Sequence, residues 1–145
     1  QQSNSYLLAK SICGAKMNDQ KIIPRSVWYG LEGTGYDKIA QEVKSEDPSL
    51  RKWVAIYAIY KFEFSPDDPF QYYDFISDSK NSRYAVIEFS IPINTIEISD
   101  SIDDRDITII KLETMNSEED INIFLEKNHI SPELFTPPWR CDYPL

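Results

Sequence analysis

Residues 53–64 read WVAIYAIYKFEF, a run rich in β-branched and aromatic side chains. Such residues fit the pleated, half-buried surface of a sheet. From Ile56 the run alternates, with Ile56, Ala58, Tyr60, Phe62 and Phe64 on one face and Tyr57, Ile59, Lys61 and Glu63 on the other. Its first half is apolar on both faces, which predicts a central strand covered from both sides. A buried helix is the competing reading of the same run.

Working outward, residues 84–91 (YAVIEFSI) predict a second strand, interrupted by Pro92. Residues 95–99 (TIEIS) continue the alternation, and 107–112 (ITIIKL) predict another strand. Ser117 opens a helix with Asp120 as its capping-box partner. Ile121, Phe124 and Leu125 form the apolar face, and Lys127 and His129 suit its C-terminal dipole. Asp68-Pro69 predicts the start of a short helix reaching Phe75 or Ile76.

Upstream of the central run, residues 5–17 place Leu8, Ile12 and Ala15 on one helical face. Gly30, Gly33 and Gly35 predict an irregular loop. Thr34 and Asp37 resemble a capping box for a helix over 35–45, with Ile39, Ala40 and Val43 as its stripe. Asp47-Pro48 predicts a further helical turn. Strands and helices do not alternate regularly, so a doubly wound parallel sheet is not expected. The order predicts a single α+β domain over 1–145: a mostly antiparallel sheet of four to five strands with helices packed on one face.

The charge is split along the chain. Residues 1–61 carry nine Lys/Arg against six Asp/Glu, a balance of +3. Residues 62–145 carry six against eighteen, a balance of −12, and the whole chain is at −9. A strongly acidic half repels nucleic acid and anionic membrane and attracts basic protein surfaces. No run of eighteen apolar residues is present to span a bilayer. The start, QQSNSYLLAK, lacks the basic residues and apolar stretch of a signal peptide, so a cytoplasmic protein is the expectation, or a secreted one whose leader was removed.

Cys13 and Cys141 lie near opposite ends without a CxxC, which excludes a zinc ribbon or thioredoxin-type site. Two unpaired thiols are the plainer reading, and a disulfide between the ends the alternative. His129 is the single histidine, so multi-histidine metal sites are excluded and a catalytic triad would rest on it alone. No nucleophile elbow, dinucleotide fingerprint or P-loop occurs. No motif calls for a cofactor or metal.

Asp100, Asp103, Asp104 and Asp106 crowd one short loop. Their spacing is not that of a calcium-binding EF-hand loop, and no Gly supplies the turn. An electrostatic contact with a basic partner suits them best. Arg25, Trp28 and Tyr29 set a guanidinium beside two aromatics, a pattern that can hold a phosphate or nucleotide. With a strand glutamate such as Glu88, or Glu63 and Glu88 on neighbouring strands, transferase or hydrolase chemistry becomes conceivable. The Pro-Pro-Trp-Arg tail, with Trp139 and Tyr143, is expected to pack back on the domain. The leading expectation is a non-enzymatic acidic protein that inhibits, neutralises or adapts to a basic partner protein. The alternative is a small enzyme or nucleotide-binding domain.

Overall fold

A computed structural model describes residues 21–145. The helix expected over 5–17, and Cys13 with it, lie outside the described residues. Four strands form one antiparallel sheet in the order β1-β2-β3-β4: Lys38–Val43, Leu50–Ala58, Tyr84–Pro92 and Thr108–Met115. Among the described residues four short helices accompany it: α1 (Arg25–Glu32), α2 (Asp74–Asp78), α3 (Ile93–Ile98) and α4 (Glu118–Lys127). The α+β class and the mostly antiparallel sheet are as expected.

The central strands are apolar on both faces because both are covered. Val54, Ile56 and Ala58 of β2 join Tyr84 and Val86 of β3 beneath α1 and α4, which contribute Trp28, Leu31, Ile121, Phe124 and Leu125. The alternate residues Trp53, Ala55, Tyr57, Ile87 and Phe89 face the other way. There the cover is mostly irregular chain, with Phe75 and Ile76 of α2, Ile102, and residues of the C-terminal tail. Burying each large side chain contributes about 1.5–3 kcal/mol, and these two clusters hold the sheet.

Several local expectations are overturned. The 53–64 run does not stay extended: β2 stops at Ala58 and Ile59–Lys61 form a 3-10 turn. Asp37 O takes the Ala58 N–H, and Arg83 O takes those of Ile59 and Tyr60. Tyr60 is half exposed beneath the Arg83 guanidinium, 4.1 Å from its ring centroid. The 35–45 segment is not a helix. Its apolar stripe serves β1, where Ile39 and Ala40 are buried and pairing to β2 overrides helical spacing. Residues 95–99 are not a strand. Pro92 ends β3, and the following α3 buries none of its residues.

Gly30 lies inside α1 rather than in a loop. A Cβ there would collide with the Tyr36 hydroxyl, which donates to Val27 O at 2.9 Å. Asp47-Pro48 forms no helical turn. Asp47 Oδ1 instead accepts from Ser49 N at 2.9 Å, closing the β1–β2 connection as an Asx turn. The helix expected from Asp68 begins only at Asp74.

α4 follows its sequence signals closely. Ser117 Oγ accepts from Asp120 N at 3.1 Å. Beyond Asn128 the chain turns left-handed at His129 (φ 58°), and the amides of His129 and Ile130 donate to Glu126 O and Leu125 O. This is a Schellman stop with histidine where glycine is usual.

Candidate functional site

The acidic loop is anchored rather than freely solvated. Ile102 is buried beneath it, and Tyr73 Oη donates to Ile102 O at 2.7 Å. Asp103 and Asp106 form a reciprocal capping box around the 3-10 turn Asp104–Asp106, with Asp103 N donating to Asp106 Oδ2 at 2.9 Å. Asp104 Oδ1 accepts from Asp74 N at 2.9 Å, capping the start of α2 from outside. Asp103 also pairs with Arg105 at 3.2 Å. Asp100 stands exposed before the turn. Three of the four aspartates therefore hold the loop in shape, and Asp103 and Asp104 still face solvent.

Beside them opens a cavity of about 360 Å³. Its walls are Lys38, Phe62, Phe70, Tyr72 and Tyr73, with Asp103 and Asp104 at one side. Phe70 is 90% exposed. Phe62 and Tyr72 meet edge to face at 5.0 Å, and Tyr72 meets Phe64 at 5.4 Å. Tyr72 Oη donates to Glu63 O and fixes the loop's course. Burial pushes the Tyr73 phenol up, and the neighbouring Asp104, Asp103 and Asp106 charges push it the same way. Lys38 pairs with Asp37 at 3.2 Å and lies 5.7 Å from the Tyr57 ring centroid. Aromatic faces beside carboxylates suit a cationic side chain, through ring quadrupoles and ion pairing together.

Sequence reasoning locates the carboxylates but misses the aromatic wall. The signal is present: seven Phe or Tyr residues fall between positions 60 and 75. The strand reading of 53–64 assigns Phe62 and Phe64 to a sheet face and so hides it.

The second candidate cluster is dispersed. Arg25 Nη1 donates to Glu118 Oε1 at 3.2 Å and Nη2 bonds Oε2. Its Nε and Nη2 also donate to Ile23 O at 3.2 and 3.0 Å, so most of the guanidinium fork is occupied. Trp28 is turned into the core against Tyr84, with ring centroids 5.4 Å apart. Tyr29 remains exposed, with Arg25 5.8 Å from its ring. Glu88 lies elsewhere, on β3, paired with Lys52 at 3.3 Å. Glu63 lies beyond the end of β2, so it does not face Glu88 from a neighbouring strand.

The tail packs back as expected. Trp53 Nε1 donates to Cys141 O at 2.9 Å, and the Tyr57 and Tyr143 hydroxyls meet at 2.7 Å. Trp139 lies edge-on to Tyr36, with centroids 5.5 Å apart. Burial pushes the Cys141 thiol up to about 11, so it is a poor nucleophile. Among the described residues, no group of three or more His, Cys, Asp or Glu is placed to hold a metal ion. None of their helices is long and apolar enough to cross a membrane. No family model, curated protein or solved structure matches this chain.

Proposed function

We propose that this chain is a non-enzymatic acidic binding protein that inhibits, neutralises or adapts to a basic partner protein. The observation that carries the reading is the exposed Phe70 beside Asp103 and Asp104 at the mouth of an aromatic-walled cavity. A lysine or arginine side chain of the partner would lie across these rings with its charge against the carboxylates. The −12 balance of residues 62–145 would supply long-range attraction. Nothing draws Arg25, Trp28, Tyr29 and Glu88 together in support of the enzymatic alternative.

The test starts with a lysine- and arginine-rich peptide as probe and continues with any basic partner recovered by affinity capture. Asp100, Asp103, Asp104 and Asp106 are changed together to Asn, which keeps acceptors for the loop's backbone donors. The association rate should fall about tenfold or more, while Phe70→Ala should mainly speed dissociation. If neither variant alters binding to a partner that the wild type holds, the site lies elsewhere and the reading fails.

A further inference from the structure

Strand β4 closes the sheet on one side, and among the described residues it pairs only with β3. No other described residue pairs with its outer backbone edge. Ile109 and Ile110 on it are 46% and 45% exposed. Beside it α4 carries Ile123, 60% exposed, and a groove of about 750 Å³ runs between strand and helix. An exposed edge with apolar residues is a template for another strand.

The charges along the edge specify which strand fits. Lys111 and Glu113 lie two residues apart, on the sheet face that carries Met115 and α4. Neither makes an ion pair among the described residues. Lys111 spends one of its three donors on Asn128. When two copies of a strand pair antiparallel about a two-fold axis through the sheet, the axis must fall on a residue that faces itself. Otherwise facing side chains would lie on opposite sides of the sheet. An axis on Lys111 or Glu113 sets like charges against each other. An axis on Ile110 falls on the extra residue of the bulge, which leaves Ile109 and Lys111 on opposite sides of the sheet. An axis on Leu112 sets each Lys111 opposite the other copy's Glu113, twice over, with Leu112 against Leu112 between them.

We infer that this edge is a self-association surface: a second copy of the chain adds its β4 antiparallel to the first, centred on Leu112. The pairing is short. Ile110 is the extra residue of the bulge at Glu88 and Phe89, so the regular stretch runs over 111–115, and a pairing centred on Leu112 uses 111–113 of it. Each copy carries −9, and their mutual repulsion must be screened, as it is beyond about 8–10 Å near physiological ionic strength. The dimer is accordingly concentration-dependent and isologous.

Sedimentation velocity on the full chain, near physiological salt and with rising concentration, tests this. The wild type should pass from monomer to dimer. E113K sets two lysines against each other at both positions, the introduced one facing the other copy's Lys111, and should weaken self-association about tenfold or more. K111E does the same with two glutamates. Because Lys111 also faces Glu88 across β3, the melting temperature of K111E is its control. Mixed together, the two variants face glutamate against glutamate nowhere and lysine against glutamate at both positions, provided each pair takes one chain of either kind. They should form the heterodimer more readily than either variant self-associates. A wild type that stays monomeric throughout overturns the inference. So does an E113K that dimerises like the wild type, or a mixture that fails to associate.

Discussion

β1 and β4 are the two edges of one sheet, and they are protected in opposite ways. The edge of β1 is covered by the chain's own tail. Ala40 and Thr136 exchange backbone hydrogen bonds of 3.0 Å in both directions, and buried Gln41 donates from Nε2 to Ser131 O at 2.8 Å. Arg51, on neighbouring β2, binds both Glu42 oxygens and reaches Asp142 at 3.6 Å. β4 has no such cover among the described residues. It carries a lysine at mid-strand and a bulge, devices that discourage indiscriminate pairing without occupying the edge. Covering an edge needs contacts some ninety residues away in sequence, whereas charging it needs only local residues. The first makes the edge part of the core; the second leaves it unpaired among the described residues.

The largest expected effect comes from making one substitution on each edge. Ile39→Asp places an unpaired carboxylate among fully buried residues, a cost the fold cannot absorb. No soluble folded protein should result, and Ile56→Asp on β2 should behave alike. Ile110→Asp on β4 should change stability by less than about 1 kcal/mol. Expression yield and thermal melting decide it. A soluble Ile39→Asp with an unchanged melting temperature would mean that β1 is not sealed. Tyr60→Asp, which the strand reading of 53–64 would make equally damaging, should be tolerated because Tyr60 is half exposed.

The next effect concerns the tail that makes the cover. Burial pushes the Tyr57 phenol far above its ordinary value, and that of Tyr143 likewise, so both stay protonated and hydrogen-bonded across neutral pH. Tyr57→Phe leaves the Tyr143 hydroxyl without its partner and should cost about 1–3 kcal/mol in urea denaturation. Removing both hydroxyls removes the orphan as well, so the double variant should lie closer to wild type than Tyr57→Phe. A double variant as unstable as the sum of the singles would show that the hydroxyls do not act as a pair.

The same contrast separates what the sequence made legible from what it did not. β3, β4 and α4 could be read because their signals are local: alternation ended by Pro92, a β-branched run, and Ser117 with Asp120. β1 could not be read. Ile39, Ala40 and Val43 fit a helix, and only the register against β2 and the bridge to Thr136 make them a strand. The acidic loop was visible as composition. Its anchoring was not, because Asp104 caps α2 from thirty residues away. The aromatic wall was visible as density but misplaced, since nothing local announces that β2 stops at Ala58. That stop is set by the carbonyls of Asp37 and Arg83, which belong to other parts of the fold.

The smallest expected effect is on pH dependence, and it belongs to the covered edge. The Arg51 guanidinium, hydrogen-bonded to Glu42 at 2.7 and 2.8 Å, holds the Glu42 carboxyl below its ordinary value, against a smaller opposing effect of burial. A carboxyl depressed in the folded state favours folding when ionised. Its contribution is fully present above the unfolded value, about 4.3, and is lost as pH falls through the folded value. The Glu42 side chain is 38% exposed, so solvent screening limits the pair to less than about 1 kcal/mol. Glu42→Gln should therefore lower the melting temperature slightly at neutral pH. The gap to wild type should close on acidification below about pH 4 and narrow at high salt. The open edge supplies the control: Glu113, without an ion pair among the described residues, should show no comparable gap when changed to Gln in the monomer. If Glu42→Gln and Glu113→Gln prove equal at neutral pH, the Arg51 clamp adds nothing to the cover of β1, and the backbone bridge to Thr136 with Gln41 carries that edge alone.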